Sequence, residues 1–336
     1  MLSAFAISVI LGFLPMILFS IIIYRLDRYE KEPVKLLVFV FLWGAIVSAG
    51  GAFIINTLFG AGVYLLSGSE VAANFSVTSI IAPISEEVLK GFAILIVFLV
   101  FHDEFDSILD GIIYGAVTAL GFAATENAQY IFNFGYLVNG WEGLAQLAFI
   151  RIILVGWQHP FYTAFTGIGL AASRMSKNTI AKIISPLLGL IAAIFAHSLH
   201  NTIVPLFIKE GSLGSLIFAT RFDWFGWFLM LLFIFLMNLR EKNILRIYLK
   251  SEMDAGIITK EQYHISYSPK LRRIERNKAK AVNHETLLQV KKFYQLCAEL
   301  AHKKNQYSRL GSEKNNPTII LATRKALYAL SSKITI

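Results

Sequence analysis

Residues 76–101 read SVTSIIAPISEEVLKGFAILIVFLVF, and the reading of this stretch decides the fold. At about 1.5 Å of rise per residue, a helix of this length crosses a hydrocarbon core of about 30 Å. Inside it stand Glu86, Glu87 and Lys90. A charged side chain at mid-membrane costs about 2.5 to 3.5 kcal/mol on insertion scales, so such a cluster persists only with partners, water or a task. The neighbouring spans must supply those partners.

The composition agrees with a membrane setting. The chain of 336 residues is 56% hydrophobic with a mean hydropathy of +0.59, whereas a soluble domain is usually about 45 to 50% apolar. A soluble globule is therefore excluded. The formal charge of +9 is unevenly spread. Residues 1–239 carry 11 Lys/Arg against 14 Asp/Glu, and residues 240–336 carry 20 against 8. The basic character belongs to the tail. Cys297 is the only cysteine, which rules out an intrachain disulfide and a sulfur-rich metal site. The N-terminal MLSAFAISVI has no charged segment before its apolar run, so a retained helix is expected there and not a cleaved signal peptide.

Apolar runs predict an all-α bundle of about seven transmembrane helices, near 2–24, 34–58, 77–101, 108–134, 146–172, 183–208 and 223–239, forming a domain over 1–239. Arg25, Arg28, Lys31 and Lys35 follow the first span, Arg174, Lys177 and Lys182 the fifth, and Arg240, Lys242, Arg246 and Lys250 the seventh. These alternate loops are cytoplasmic by the positive-inside rule, which puts the N-terminus outside and the tail inside a cell membrane. Lys209 and Arg221 then fall on the outer side, against the rule. The second domain, 240–336, is a basic, largely helical cytoplasmic tail. It begins with NILRIYLK, an amphipathic run suited to lying on anionic membrane lipids, so the tail reads as a solvated, membrane-apposed appendage. Farther on, Leu287, Val290, Phe293, Tyr294, Cys297, Leu300 and Ala301 recur at helical spacing, and Thr259 with Gln262 fits a capping box. No nucleic-acid recognition module is visible, so nucleic acid is not an expected partner.

Polar groups that lipid would reject recur on four spans. They are Glu86, Glu87 and Lys90 on the third, Glu126 in GFAATENAQYIF on the fourth, His159 in GWQHPFY on the fifth, and His197, His200 and Asn201 in FAHSLHN on the sixth. Converted at about 1.5 Å per residue from the outer end of each span, Glu86, Glu126, His159 and His197 lie about 14, 12, 20 and 16 Å deep. Chain direction alternates, yet the depths agree. That predicts one shared site in the outer half of the membrane.

Helical spacing sorts these groups. Glu86 and Lys90 share a face, as do Phe122 and Glu126, and His197 and Asn201. Glu87 lies about 100° round from Glu86, so at most one of the two points straight into a common cavity. Adjacent carboxylates in a low dielectric resist joint ionisation, which makes one of them a candidate general acid or base. His159, His197 and Glu126 are a donor set for Zn²⁺ with a position left for water. The same groups could activate water without metal, with Glu86 as base and the histidines and Asn201 stabilising an oxyanion. Each also has a plain structural reading: His200 as an interhelical hydrogen-bonder, Lys90 as the counter-ion of a glutamate, Arg151 as a snorkelling side chain, and Asn127 and Gln129 as interhelical contacts.

On these residues the chain resembles the PrsW family of bacterial intramembrane proteases, relatives of the C-A-A-X prenyl-protease and bacteriocin-immunity superfamily. Glu86-Glu87-Val88-Leu89-Lys90 matches the family's EExxK, Phe122-Ala123-Ala124-Thr125-Glu126 its FxxxE, His159 its isolated histidine, and His197-Ser198-Leu199-His200-Asn201 its HxxxN-like pattern. The resemblance covers roughly residues 15–210. It implies a membrane-embedded endopeptidase with Glu86, Glu87 and His159 essential. The substrate it implies is a single-span membrane protein, an anti-sigma factor cut on its outer side being the family's association. Two other functions fit the same polar groups: a proton- or cation-coupled transporter, which would show paired halves with broken helices, and a non-catalytic immunity or scaffold protein, which would tolerate Glu86→Gln. The sequence sets no oligomeric state.

Overall fold

The computed structural model describes residues 1–207, 213–312 and 315–334, and among them every regular element is helical. Lys209 and the last residue of the sixth expected span lie outside the described residues. The elements are α1 (Leu2–Leu26), α2 (Val34–Leu42), α3 (Ala49–Ser67), α4 (Glu70–Ser76), α5 (Ala82–Val100), α6 (Ile108–Tyr130), α7 (Leu137–Phe149), α8 (Gln158–Arg174), α9 (Thr179–Phe207), α10 (Leu213–Tyr248), α11 (Lys250–Asp254), α12 (Lys260–Ser266), α13 (Pro269–Val282), α14 (His284–Leu310) and α15 (Asn316–Ser331). Four π-helical turns, Trp43–Ser48, Val77–Ile81, Ile131–Tyr136 and Ile150–Leu154, link α2 to α3, α4 to α5, α6 to α7, and lead out of α7. Such turns widen a helix by one residue and recur at functional sites.

Five helical stretches are long and apolar enough to cross a membrane: Leu2–Leu26, Val34–Ser67, Ile108–Arg174, Thr179–Phe207 and Gly214–Asp254. The 67-residue stretch Ile108–Arg174 holds two of the expected spans. The expected third span is not among these five; its helix, α5, carries Glu86, Glu87 and Lys90.

Two compact units divide the chain. The first comprises Met1–Tyr24, Glu32–Arg174 and Ile180–Leu232. Its centre is α6, buried without a break from Leu109 to Ala124. The helix starts at a capping box: Ser107 Oγ accepts from the Leu109 and Asp110 amides, and Asp110 Oδ2 accepts from the Ser107 amide at 2.6 Å. Gly111 and Gly167 let α6 and α8 cross closely, since a Cβ on either would strike the other's carbonyl oxygen. Two expected boundaries are corrected here. The fifth span, expected unbroken over 146–172, is interrupted at residues 155–157 and restarts at Gln158. Pro160 explains the restart. It has no N–H to give an α-helix interior, but is tolerated in a first turn, where that N–H has no partner anyway. His159 therefore sits in the first turn of α8. The seventh helix is also longer than the expected 223–239, running from Leu213 to Tyr248.

The second unit comprises Arg25–Lys31, Met175–Thr179 and Phe233–Ile336. The unit has a core of its own, in which Leu245, Leu249, Phe293, Cys297, Leu300 and Leu327 are all fully buried. The apolar side of NILRIYLK, expected on the lipid surface, is taken up in this core. The helix expected from the Leu287–Ala301 spacing is α14, and the Thr259/Gln262 capping box opens α12. Arg272 ties the loop in, its guanidinium donating to the Tyr29 carbonyl at 2.7 Å and the Ser266 carbonyl at 2.7 Å.

Candidate active site

Six of the polar groups singled out in the sequence, Glu86, Glu87, Lys90, Glu126, His159 and His197, meet in the first unit, drawn from α5, α6, α8 and α9. Lys90, fully buried, is the hub. Its ammonium lies 2.9 Å from Glu87 Oε1, 3.5 Å from Glu86 Oε2 and 3.1 Å from His159 Nδ1, and 3.9 Å over the Phe122 ring. The i, i+3 and i, i+4 spacing on α5 brings both carboxylates to one ammonium. The plain reading of Lys90 as counter-ion of one glutamate is thus too small, because it serves two carboxylates and a histidine.

The two glutamates have different surroundings. Glu87 is fully buried and bonded on every side, to Lys90, to Thr163 Oγ1 at 2.7 Å and to His197 Nδ1 at 3.0 Å. Glu86, 5% exposed, lines a cavity, and its Oε2 is 3.8 Å from His197 Nε2. Only one of the adjacent pair opens on the cavity, as the 100° offset expects. Glu126 accepts from His159 Nε2 at 2.9 Å and is ion-paired with Arg151, whose Nε donates to Asn127 Oδ1 at 2.8 Å. Arg151 does not snorkel. The π-helical turn Ile150–Leu154 carries it inward onto Glu126, and its guanidinium lies 4.3 Å over the Tyr130 ring.

Asn201 stands apart from this network. It lines the cavity, but its amide donates to the Thr78 carbonyl at 3.0 Å, and among the described residues no hydrogen bond joins it to the glutamates or histidines. His200 is likewise separate, bonded to Asp223 Oδ2 at 2.9 Å, which is the interhelical role given by its plain reading. Asn127 joins α6 to Arg151, whereas Gln129 lines the cavity. The cavity itself has a volume of about 1060 Å³, with Glu86, Glu126, His159 and His197 in its wall.

The metal-donor set differs from the expected one. Glu86, His159 and His197 each offer a ligand atom, the three within 4.8 Å of one another. Glu126 is outside this triad and is held by Arg151 and His159 Nε2; His159, bonded to Lys90 and Glu126, would have to release one of these contacts to ligate. Two imidazoles and a carboxylate suit Zn²⁺ with an open position, and the Glu87 carboxylate on His197 Nδ1 is the outer partner that orients a metal-binding histidine. Three carboxyl groups also face only two permanent cations, Lys90 and Arg151. The residues fit a divalent ion.

Sequence reasoning missed Asp223, Gln158, Tyr162 and Thr163. Asp223 is an acid in an apolar run, but it stands at the expected start of the seventh span, where an acid is unremarkable. Tyr162 and Thr163 follow His159 at i+3 and i+4 on α8, the spacing of one helix face.

Comparison with known proteins identifies relatives of the chain. The family model described as PrsW family intramembrane metalloprotease matches residues 32–238. Protease PrsW of Geobacillus kaustophilus is 32% identical over 144 residues, 43% of this chain and 56% of that protein. Protease PrsW of Bacillus subtilis is 31% identical over 156 residues, covering 46% and 63%. That of Oceanobacillus iheyensis is 26% identical over 220 residues, covering 66% and 91%. In the first two, the chain spans little more than half the length of the relative it matches. No solved structure matches the chain. With its family model covering well over half of the sequence, and with EExxK, FxxxE and both histidine motifs meeting at one cavity, the chain belongs to the PrsW family.

Proposed function

We propose that the chain is an intramembrane endopeptidase that hydrolyses a peptide bond of a membrane-anchored protein at the Glu86, His159, His197 cluster. The observation that carries the reading is a carboxylate and two imidazoles with ligand atoms within 4.8 Å of one another at the wall of a cavity of about 1060 Å³. A cavity of that size accommodates several residues of extended peptide, and burying so many ionisable groups in a membrane helix bundle is costly without a task.

The chain's own groups divide the work. Glu86, the carboxylate open to the cavity, takes a proton from the attacking water as oxygen bonds to the scissile carbonyl carbon. As the C–N bond breaks, a proton passes to the departing amine, with His159 and His197 in reach to relay it. Lys90 holds Glu86 and His159 in place, Glu87 fixes the His197 ring by its Nδ1, and Arg151 holds Glu126 against His159. The same three groups are the ones that would hold Zn²⁺; as ligands they would give up the base and relay roles, and the ion would instead supply a water acidified to near neutrality.

The alternation of basic loops supports an N-terminus outside and a C-terminal unit inside a bacterial plasma membrane. With that orientation the site lies in the outer half of the bilayer, which suits a single-span substrate cut on its outer side, such as an anti-sigma factor. The test is a reconstituted assay of wild type, Glu86→Gln and His159→Ala protein in liposomes with a panel of single-span membrane peptides. Wild type cleaves, both variants do not, and a strong zinc chelator stops the wild type. Equal product from wild type and Glu86→Gln contradicts the reading.

A further inference from the structure

A second polar group beside the cavity takes no part in the chemistry above. Asp223, on α10, has a side-chain exposure of 8% and accepts from three donors: His200 Nδ1 at 2.9 Å, Gln158 Nε2 at 3.1 Å and Tyr162 OH at 3.3 Å. The donors come from α8 and α9, the helices that carry His159 and His197. Tyr162 also stacks on the His197 ring, centroids 4.9 Å apart at 23°. Gln158 Nε2 also lies 3.1 Å from His200 Nδ1, but the amide and Nδ1 both face the Asp223 carboxylate, which only accepts; with both donating to Asp223, the neutral His200 ring carries its proton on Nδ1 and leaves Nε2 as an acceptor. His200 lines the cavity, and its Nε2 has no hydrogen-bond partner among the described residues. One imidazole acceptor is thus held at the cavity wall with nothing to receive.

We propose that His200 binds the main chain of the substrate, its Nε2 accepting a backbone N–H of an extended peptide, and that Asp223 is the residue positioning it. The inference rests on the protease reading for the identity of the ligand. His197 and His200 are separated by about 4.5 Å along α9, and an extended strand advances about 3.3 Å per residue, so the N–H received lies within about two residues of the scissile bond. The contact recognises backbone and not side chain, so it serves alignment of many sequences and carries no sequence preference.

The test reads binding separately from cleavage. Full-length Glu86→Gln protein in nanodiscs is titrated with fluorescent single-span peptides in which each amide N–H near the scissile position is replaced in turn by an ester oxygen. One replacement weakens binding about tenfold, the loss of one hydrogen bond. The same replacement has no further effect on Glu86→Gln/His200→Asn, because Asn keeps a donor toward Asp223 but has no group at the Nε2 position. Asp223→Asn loses affinity as His200→Asn does, and Asp223→Glu restores part of it. Trp224 anchors α10 independently, its indole donating to the Leu154 carbonyl at 2.9 Å, so the Asp223 variants keep their fold. Unaltered affinity in His200→Asn, or ester effects of equal size with and without His200, overturns the proposal. Binding that behaves as described while wild type cleaves none of the bound peptides refutes the protease reading and leaves the His200 contact standing.

Discussion

Both units bury a charged cluster, and the two are built to opposite ends. In the second unit, Glu252 is fully buried with Lys304 at 2.6 Å and Arg324 at 2.7 and 2.8 Å, so the carboxylate's acceptor sites are met by side chains. In the first, Lys90 and Glu87 are equally buried, but Glu86, Glu126, His159 and His197 are in a cavity wall. A closed cluster spends its charges on itself. An open one, inside a membrane bundle where each charge is expensive, leaves acceptors and donors facing empty space. The first therefore reads as a site and the second as a clasp, and substitutions should separate them.

The largest effect is expected at Glu86. Glu86→Gln keeps the size of the side chain but removes the base, and peptide cleavage falls by at least about a thousandfold with the protein still inserted and folded. Glu87→Gln acts through His197 and not on substrate, so cleavage falls about 10- to 100-fold, the usual cost of losing an outer-shell carboxylate. Both are read in the liposome assay against circular dichroism of the same preparations.

On the clasp the readout changes from activity to stability. Glu252→Gln weakens the second unit by about 1 to 3 kcal/mol, seen as faster tryptic cleavage within residues 250–334 of the full-length protein, with cleavage of membrane peptides unchanged. Burial would raise the Glu252 carboxyl, but the hydrogen bonds from Arg324 and Lys304 overcome it and hold the group below its ordinary value. Its stabilisation is therefore complete above the unfolded value of about 4.3 and is lost as pH falls through the folded one.

Asp27, in the loop held by the second unit, has the opposite sign. Burial pushes its carboxyl up to about 6 against the nearby Lys31. A raised acid favours the fold below its unfolded value of about 3.9, and that contribution is lost as pH rises through about 6. Asp27→Asn, which keeps the acceptor for the Tyr29 and Glu30 amides, raises stability by roughly 1 kcal/mol at pH 7.5 and leaves it unchanged near pH 4. Equal effects at both pH values contradict the assignment.

The contrast also marks what the sequence makes legible. Four intramembrane motifs at matching depths are enough to predict one site, because helical rise and chain alternation are fixed by backbone geometry. Which carboxylate joins the histidines is not legible, because it depends on Arg151 reaching Glu126 from a π-helical turn that no periodicity announces. The apolar face of α14 is legible at its 3.6-residue period, whereas the core it enters depends on α10, α12 and α15, contacts far apart in sequence. Asp223 was hidden by a boundary set ten residues too late. Helix ends in membranes are poorly marked when Pro160 and Glu86 interrupt apolar runs from inside.

The central claim is that the open cluster is kept for chemistry and not for stability. The most direct test is to measure, on one preparation, both peptide cleavage and the thermal unfolding midpoint of Glu86→Gln beside wild type. The predicted result is no cleavage with a midpoint equal to or above that of wild type. Retained cleavage with a midpoint several degrees lower would make the cluster a structural clasp like the one at Glu252, and would contradict the account.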